Sequence, residues 1–561
     1  MSEVKPMDWR IDEKGVWEID RAHFSTPLSG WFREIMGPAF GKGFAECTAR
    51  IGLLLSHFEF RYPNGLPYMQ PVIVGAPRGA KGLPPKPIFK VLCAVHPSMR
   101  GRLRTLATAF ERKPWLDDVR RWETDIRPSV TALHLDLQRT DPAKLDDDAL
   151  AAWLGKLHAN AFEQYTNHHR FTVSSMLPVG DYIAHCQEWT GLDVGTLLQA
   201  VRQPTGVTTI AGQQLEAVVS ALARDGAAAA LLDDPDPAEA IRLLAAQSGA
   251  VGATMRAYLE MTGRRLVTGY DFTDLTALEM PALIVRTLRA HLRGTRSEDA
   301  QRRAALAVEV RDQVPAQHRA AYDELLAAAL AVSNLREERA LVCDFWAFGI
   351  ARGALQELGR RLASRGLLES PDHVFDGTLA EHRALLAGAG PSAEELGRRN
   401  RLRKTLTIDD APQFIGGQPS PPPPLAWMPA TVQRSMRATN AVIAALFTEG
   451  KARHEPACVR GLNASAGTYE GRARLVLKPE HFPRIEQGDV LIARSTTEAY
   501  NGIIPLLGAV VTDRGGLLSH TATVAREFGI PAVVGTQTAT QTIPDGARVR
   551  VDGTRGEARL M

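Results

Sequence analysis

The stretch GGQPSPPPPLAWMP, Gly416 to Pro429, divides this chain into two parts with different grammars. Consecutive prolines lack backbone donors and hold φ near −65°, so they favour an extended polyproline path with no internal hydrogen bonds. Neither one continuous helix nor one continuous sheet can run through such a segment. It reads as a boundary or hinge; an SH3-type ligand is the alternative reading of the same residues.

Before it, from about residue 100 to 400, apolar residues recur at three and four spacing, as in SEDAQRRAALAVEVRDQ and in ALVCDFWAFGIARGALQELGRRLASRG. That period puts one apolar face on each helix. Gly366 is a helix stop, and the Pro-Ala-Glu-Ala at 237–240 restarts a helix with proline in its first turn. The first hundred residues are mixed. GFAECTARIGLLLSHF keeps helical spacing, whereas FEFRYPNGLPYMQPVIVG reads as strands around an Asn64-Gly65 turn.

After residue 455 the runs become short, β-branched and separated by Gly, Pro and Asp: GRARLVL, GDVLIAR, LGAVVTD, PAVVG and ARVRVDG. One helix, Ser519 to Phe528, lies among them. The expected architecture is multidomain: a mostly α-helical region followed by a C-terminal α/β domain. The expected boundaries are a mixed 1–100, a helical 101–410, a proline-rich linker and connecting helix at 411–455, and the α/β domain at 456–561.

The bulk numbers exclude several classes. With 45% hydrophobic and 23% charged residues the chain is globular, and a net charge of +3 with interspersed signs gives no nucleic-acid face. No apolar run reaches membrane-spanning length, and the N-terminus lacks a signal peptide's apolar core. The five dispersed cysteines form no CxxC pair, as expected of reduced thiols in a cytoplasmic protein.

Within LGAVVTDRGGLLSHTATVAREFGIP the order is strand, turn, helix, turn. Gly515 and Gly516 permit a tight turn, Ser519 is an N-cap, and Gly529 with Pro531 ends the helix. His520 then occupies the first helical position, where unpaired N–H groups and the positive end of the helix dipole sit. The dipole opposes an imidazolium there but welcomes a phosphoryl group carried on a neutral ring. Against this stands the reading of His520 as a surface or capping residue. No second ligand lies at metal-binding spacing.

These residues resemble the phosphohistidine, or swivelling, domain shared by phosphoenolpyruvate synthase, pyruvate phosphate dikinase, rifampin phosphotransferase and enzyme I of the phosphotransferase system. The resemblance is carried by Gly515-Gly516, Ser519-His520, Ala525-Arg526-Glu527 and Gly529 to Gly535, with SAGTYEGRARLVLKP and GDVLIARSTTEAY upstream in the family's order. It covers 458–561. Leu517-Leu518 departs from it, since many members have a polar or charged residue and then Thr. The resemblance implies that His520 is the phosphorylated nucleophile, supported by Gly515, Gly516, Ser519, Thr521 and Arg526.

The family's usual sources of phosphate, an ATP-grasp domain or a phosphoenolpyruvate-binding barrel, are not legible here: there is no Walker pattern and no alternating strand–helix order at 100–400. The middle of the chain is similar to the helical acceptor-binding part of rifampin phosphotransferase, through Gly263-Arg264-Arg265, Asp271, Glu279 with Pro281, and Arg336-Glu337. An acceptor region joined to a phosphohistidine domain resembles one subunit of phenylphosphate synthase and related two-subunit dikinases. That resemblance implies an ATP-grasp partner subunit that binds ATP and Mg2+, no cofactor or metal on this chain, and a phenolic acceptor.

A phenol needs a base or cations to favour its phenolate and to neutralise phosphoryl charge. The acceptor-site candidates are His168, His169 and Arg170, with Arg264, Arg265, Arg336 and Glu337. Each has a plainer reading: His168-His169 as a solvated helix end, Arg336-Glu337 as an ion pair, and Phe345, Trp346 and Met176 as core rather than pocket lining. Two alternative functions stand beside the aryl dikinase: an antibiotic phosphotransferase subunit, and a phosphocarrier or regulatory protein without a small-molecule acceptor.

Overall fold

The computed structural model describes residues 7–21, 23–80, 82, 84–201, 210–292, 299–447, 450, 457–477, 479–496, 500 and 503–561. The chain forms two compact units. The first comprises 1–175, 271–273 and 342–436; the second comprises 176–270, 274–341 and 437–561. The helical stretch 101–410 is therefore shared between both units, and residues 176–270 and 274–341 belong with the C-terminal α/β region.

In the first unit an antiparallel sheet runs in the order Leu55–Arg61, Tyr68–Ile73, Trp17–Ile19, Phe414–Ile415. Its hairpin turns where Asn-Gly was expected to place it, with Asn64 at φ 51° and Gly65 at φ 84°. The helical spacing of GFAECTARIGLLLSHF does not hold to its end. The helix Gly30–Ile51 stops at Gly52, whose φ of 96° is left-handed, and the chain re-enters a strand at Leu55. Three long helices, Gly30–Ile51, Asp147–His169 and Phe345–Ser364, pack through Phe32, Tyr165 and Phe348. Phe345 and Trp346 are fully buried core, and the Trp346 indole donates to Gln138 at 3.1 Å.

His382 is sealed in this unit. Its Nδ1 accepts from the Trp31 indole at 3.0 Å, which leaves the ring proton on Nε2, donated to the Val374 carbonyl at 2.8 Å. Burial pushes its pKa from 6.5 down to about 4. Below pH 6.5 the unfolded chain takes a proton here that the folded chain refuses, so the stabilisation is complete above pH 6.5 and is lost as pH falls toward 4. The loss amounts to about 3 kcal/mol. Urea titrations from pH 7 to 4 should show this slope, and His382→Gln should flatten it.

The second unit holds an eight-stranded sheet in the order Cys458–Arg460, Glu557–Leu560, Arg548–Asp552, Thr468–Val476, Asp489–Ala493, Leu507–Thr512, Ala532–Val534, Leu462–Ser465. The four strands from Thr468–Val476 to Ala532–Val534 run parallel. Alternation along the central strand splits its side chains between two cores. Val490 and Ile492 join Val511, Val549 and Ile543 on one face. Leu491 and Ala493 join Val510, Ala522 and Ala525 on the other. All five residues of that strand are buried, as expected of a parallel strand covered on both sides. The second face is completed from outside the sheet: Met280, Leu283 and Ala290, on and just before the helix Pro281–Leu292, pack into it. Arg286 fixes this helix by donating to the Ile485 carbonyl at 2.6 Å. Among the described residues, no helix is long and apolar enough to cross a membrane.

Candidate active site

The strands Asp489–Ala493 and Leu507–Thr512 lie side by side and parallel, so their carboxyl ends open on the same edge of the sheet. Open α/β sheets place their ligands at that edge. Pairing continues past both strands, through Asp513 N to Ala493 O at 3.1 Å and Arg514 N to Arg494 O at 2.8 Å. The first strand leads to Thr496 and the second, through Gly515 and Gly516, to His520. Residues Thr497 to Ala499 of the upstream motif lie outside the described residues.

The helix His520–Phe528 begins at the histidine, as its local sequence dictates. Ser519 is extended at φ −62° and ψ 159° and caps the Ala522 N–H. Gly529 closes the helix at φ 64°. The Nδ1 of His520 is 2.8 Å from the Thr496 hydroxyl. That hydroxyl is in turn 2.7 Å from the hydroxyl of Thr521. Both threonines are buried, while the histidine is half-buried. Nδ1 is thus engaged by Thr496, and the residue stands at a helix start, where backbone N–H groups lack intrahelical partners.

Two further ties hold the loop. The carboxylate of Asp513 accepts from Thr536 Oγ1 at 3.3 Å and from Thr540 N at 3.1 Å, fixing the point where the strand becomes the loop. On the other side the helix Gln433–Phe447 ends against the loop: Gly516 N donates to Leu446 O at 3.1 Å and Leu518 N to Ala445 O at 2.9 Å. Terminal helix carbonyls that would otherwise lack partners are thereby used to hold the histidine loop. Thr496, Asp513 and this helix end were not singled out from sequence; the STT within the matched upstream motif was the available signal for the first.

Arg526 is buried beneath the loop, donating to Ala464 O at 2.8 Å and to Leu517 O at 2.6 Å. Its role is to tie the loop to the edge strand Leu462–Ser465. Arg526→Ala would leave two buried carbonyls short of donors and is expected to cost about 2–3 kcal/mol. The urea midpoint of the full chain measures this. Among the described residues no group of three or more His, Cys, Asp or Glu side chains is placed to hold a metal ion.

Comparison with known proteins gives this geometry relatives. Residues 485–556 match the PEP-utilising enzyme mobile domain, and residues 167–354 match the rifampicin phosphotransferase fourth domain. The chain thus carries two segments similar to domains of PEP-utilising and rifampicin-phosphorylating enzymes. An uncharacterized protein of Mycobacterium tuberculosis is 29% identical over 432 residues, covering 74% of this chain and 45% of its own. A rifampicin phosphotransferase of a Streptomyces species is 28% identical over 393 residues, covering 67% of this chain and 42% of its own. The phosphoenolpyruvate synthase of Aeropyrum pernix is 46% identical over 99 residues, covering 18% and 12%. The chain spans less than half the length of each of these relatives.

The segment matching the fourth domain holds all the acceptor-site candidates, but they fall in both units. In the first unit, His168 and His169 end the helix Asp147–His169 without being solvated. His168 Nδ1 bonds the buried carboxylate of Asp344, and His169 lies against the Phe40 ring at 4.1 Å. Arg170 pairs with Glu46 at 2.7 Å and Glu163 at 2.8 Å. It closes a polar chain along the helix, from His134 through Asn160, Gln164 and Asn167.

In the second unit Arg264 is half-buried and Arg265 buried. Burial pushes the Arg265 guanidinium down to about 10 while the Glu338 carboxylate opposes the shift. Arg336 and Glu337 form an ion pair at 2.8 Å, both side chains 17% exposed. The motif residue Glu279 is used locally: Thr276 donates to it from both its backbone N and its hydroxyl at 2.9 Å, a capping box. Asp271, which belongs to the first unit, receives the Ser29 N–H at 2.8 Å. Both motif carboxylates thus have structural tasks in this fold.

Proposed function

We propose that this chain is the acceptor and phosphohistidine subunit of an ATP-dependent dikinase. A separate ATP-grasp subunit holds ATP with Mg2+ and gives the β-phosphoryl group to His520. His520 then passes it to the hydroxyl of a phenolic small molecule; with one water taking the γ-phosphoryl group, the products are an aryl phosphate, AMP and inorganic phosphate. The use of ATP sets the reaction in the cytoplasm. The observation that carries this reading is the imidazole of His520 at a helix start, held through Nδ1 by Thr496. The N–H groups around Nε2 meet the phosphoryl oxygens, and the helix dipole favours their charge. The two family matches support the same reading, one at each end of the transfer.

In the acceptor region, cationic groups are expected to meet the phosphoryl oxygens as the phenolate attacks. Arg264 and Arg336 of the second unit are the residues proposed for this. The rifampicin phosphotransferase among the relatives favours a second reading, in which the acceptor is an antibiotic hydroxyl on a larger molecule.

The test charges the chain with β-32P-labelled ATP in the presence and absence of a separate ATP-grasp protein. The expected product is acid-labile, base-stable label on His520, discharged by simple phenols. Label that forms only with the ATP-grasp protein supports two subunits. Discharge by an ansamycin but not by phenols moves the acceptor to the antibiotic reading. Label that no hydroxyl compound discharges makes the chain a phosphocarrier.

A further inference from the structure

Thr496 has one hydroxyl proton and two neighbours that compete for it: His520 Nδ1 at 2.8 Å and Thr521 Oγ1 at 2.7 Å. If the proton points at the histidine, Nδ1 accepts it and the ring proton sits on Nε2, whose lone pair is then occupied. If it points at Thr521, the Thr496 oxygen accepts from Nδ1–H and Nε2 carries the lone pair. The geometry points to Thr521 as a positioning residue that selects the second, nucleophilic tautomer. Thr521 is 1% exposed and Thr496 7% exposed, so water does not substitute for either hydroxyl. Thr521 sits on the first turn of the histidine helix, immediately after the residue it controls. Its oxygen accepts the Thr496 proton and so turns Thr496 from a donor into an acceptor.

This role rests on His520 being the phosphoryl carrier. In charging, the Nε2 lone pair forms the N–P bond to the β-phosphorus while the α–β P–O bond breaks and its oxygen leaves on AMP with the electron pair; water then takes the γ-phosphoryl group, breaking the β–γ P–O bond and releasing inorganic phosphate. No proton leaves the ring: Nδ1–H stays in its bond to Thr496, which disperses the imidazolium charge. In discharge the phenolate oxygen bonds phosphorus, and the N–P electron pair returns to Nε2. The ring departs as neutral imidazole with its proton still on Nδ1. Thr496 must therefore accept at Nδ1 in both directions, and Thr521 is the side chain that lets it do so.

The test uses the full chain labelled with 15N-histidine, His520 being assigned by comparison with His520→Gln. Thr521→Val removes the acceptor at near-constant shape, and Thr521→Ser keeps it. Thr521→Val is expected to lower the ratio of Nδ1–H to Nε2–H tautomer about fivefold, the value of one hydrogen bond, and Thr521→Ser to leave it unchanged. The rate of His520 charging with ATP and the ATP-grasp protein should fall in parallel in the valine variant and recover in the serine one. Equal tautomer ratios in the two variants overturn the proposal. If the valine variant is misfolded by circular dichroism, Thr521→Ala replaces it under the same criterion. A shifted tautomer ratio in a chain whose wild type takes up no phosphoryl group upholds the positioning role and overturns the carrier reading instead.

Discussion

His520→Ala is expected to leave a folded chain that takes up no phosphoryl group. The imidazole is half-buried, and its Nδ1 is held by Thr496. Its removal costs about 1 kcal/mol of stability, little against the sheet beneath it. The chemical loss is far larger. The hydroxyls of Thr496 and Thr521 beside the ring are bonded to each other and are not expected to replace it as nucleophile. Turnover should fall by on the order of 10⁴-fold or more. Acid-labile phosphate analysis and circular dichroism on the same sample measure both halves. Label retained by the variant would mean that another residue is the carrier.

Gly516→Ala should have the second-largest effect, through the backbone. A Cβ at this position would lie 2.3 Å from the Ala445 carbonyl oxygen and 2.6 Å from that of Leu446. Both obstacles are main-chain atoms of the helix end that also receives the Gly516 and Leu518 N–H groups, so no side-chain rotation relieves the clash. Either the loop or the helix end must move, breaking one or both hydrogen bonds. The expected destabilisation is about 2–3 kcal/mol, accompanied by a fall in His520 charging because the loop that aims the ring is displaced. A thermal melt and the charging rate report the two effects. Gly515→Ala is the comparison: its φ of 111° is strained for alanine, but its Cβ would meet only Ser519.

The parts of this molecule that follow local rules were legible from sequence. Ser519, Gly529 and Pro531 bracket a helix within a short stretch, and the structure starts that helix at His520. The strands Asp489–Ala493, Leu507–Thr512 and Ala532–Val534 were equally visible as apolar runs, because strands buried on both faces need no polar alternation. What depends on distant residues was not. Thr496 lies 24 positions before the ring it holds. Asp344 lies 176 positions after His168. Periodicity shows that Pro281–Leu292 has an apolar face but not what covers it, so its packing on the C-terminal sheet could not be anticipated. The bonds of the charged residues in the middle of the chain were not legible either. Arg170, Glu279 and Asp271 stand out as charges in a sequence, yet each is held in a local or long-range structural bond once the chain is folded.

The seat of Met280, Leu283 and Ala290 against the sheet bears on any journey His520 makes. The surface they cover is oily, built from Val476, Phe482, Ile485, Ile503 and Leu506. A domain that left this berth would uncover that surface to water, and each exposed aliphatic side chain would cost about 1.5–3 kcal/mol. Departure is therefore cheap only toward a second berth of similar greasiness. The docking face of the proposed donor subunit is best sought as an apolar patch rather than as a field of charge, and a severed C-terminal fragment would be expected to self-associate.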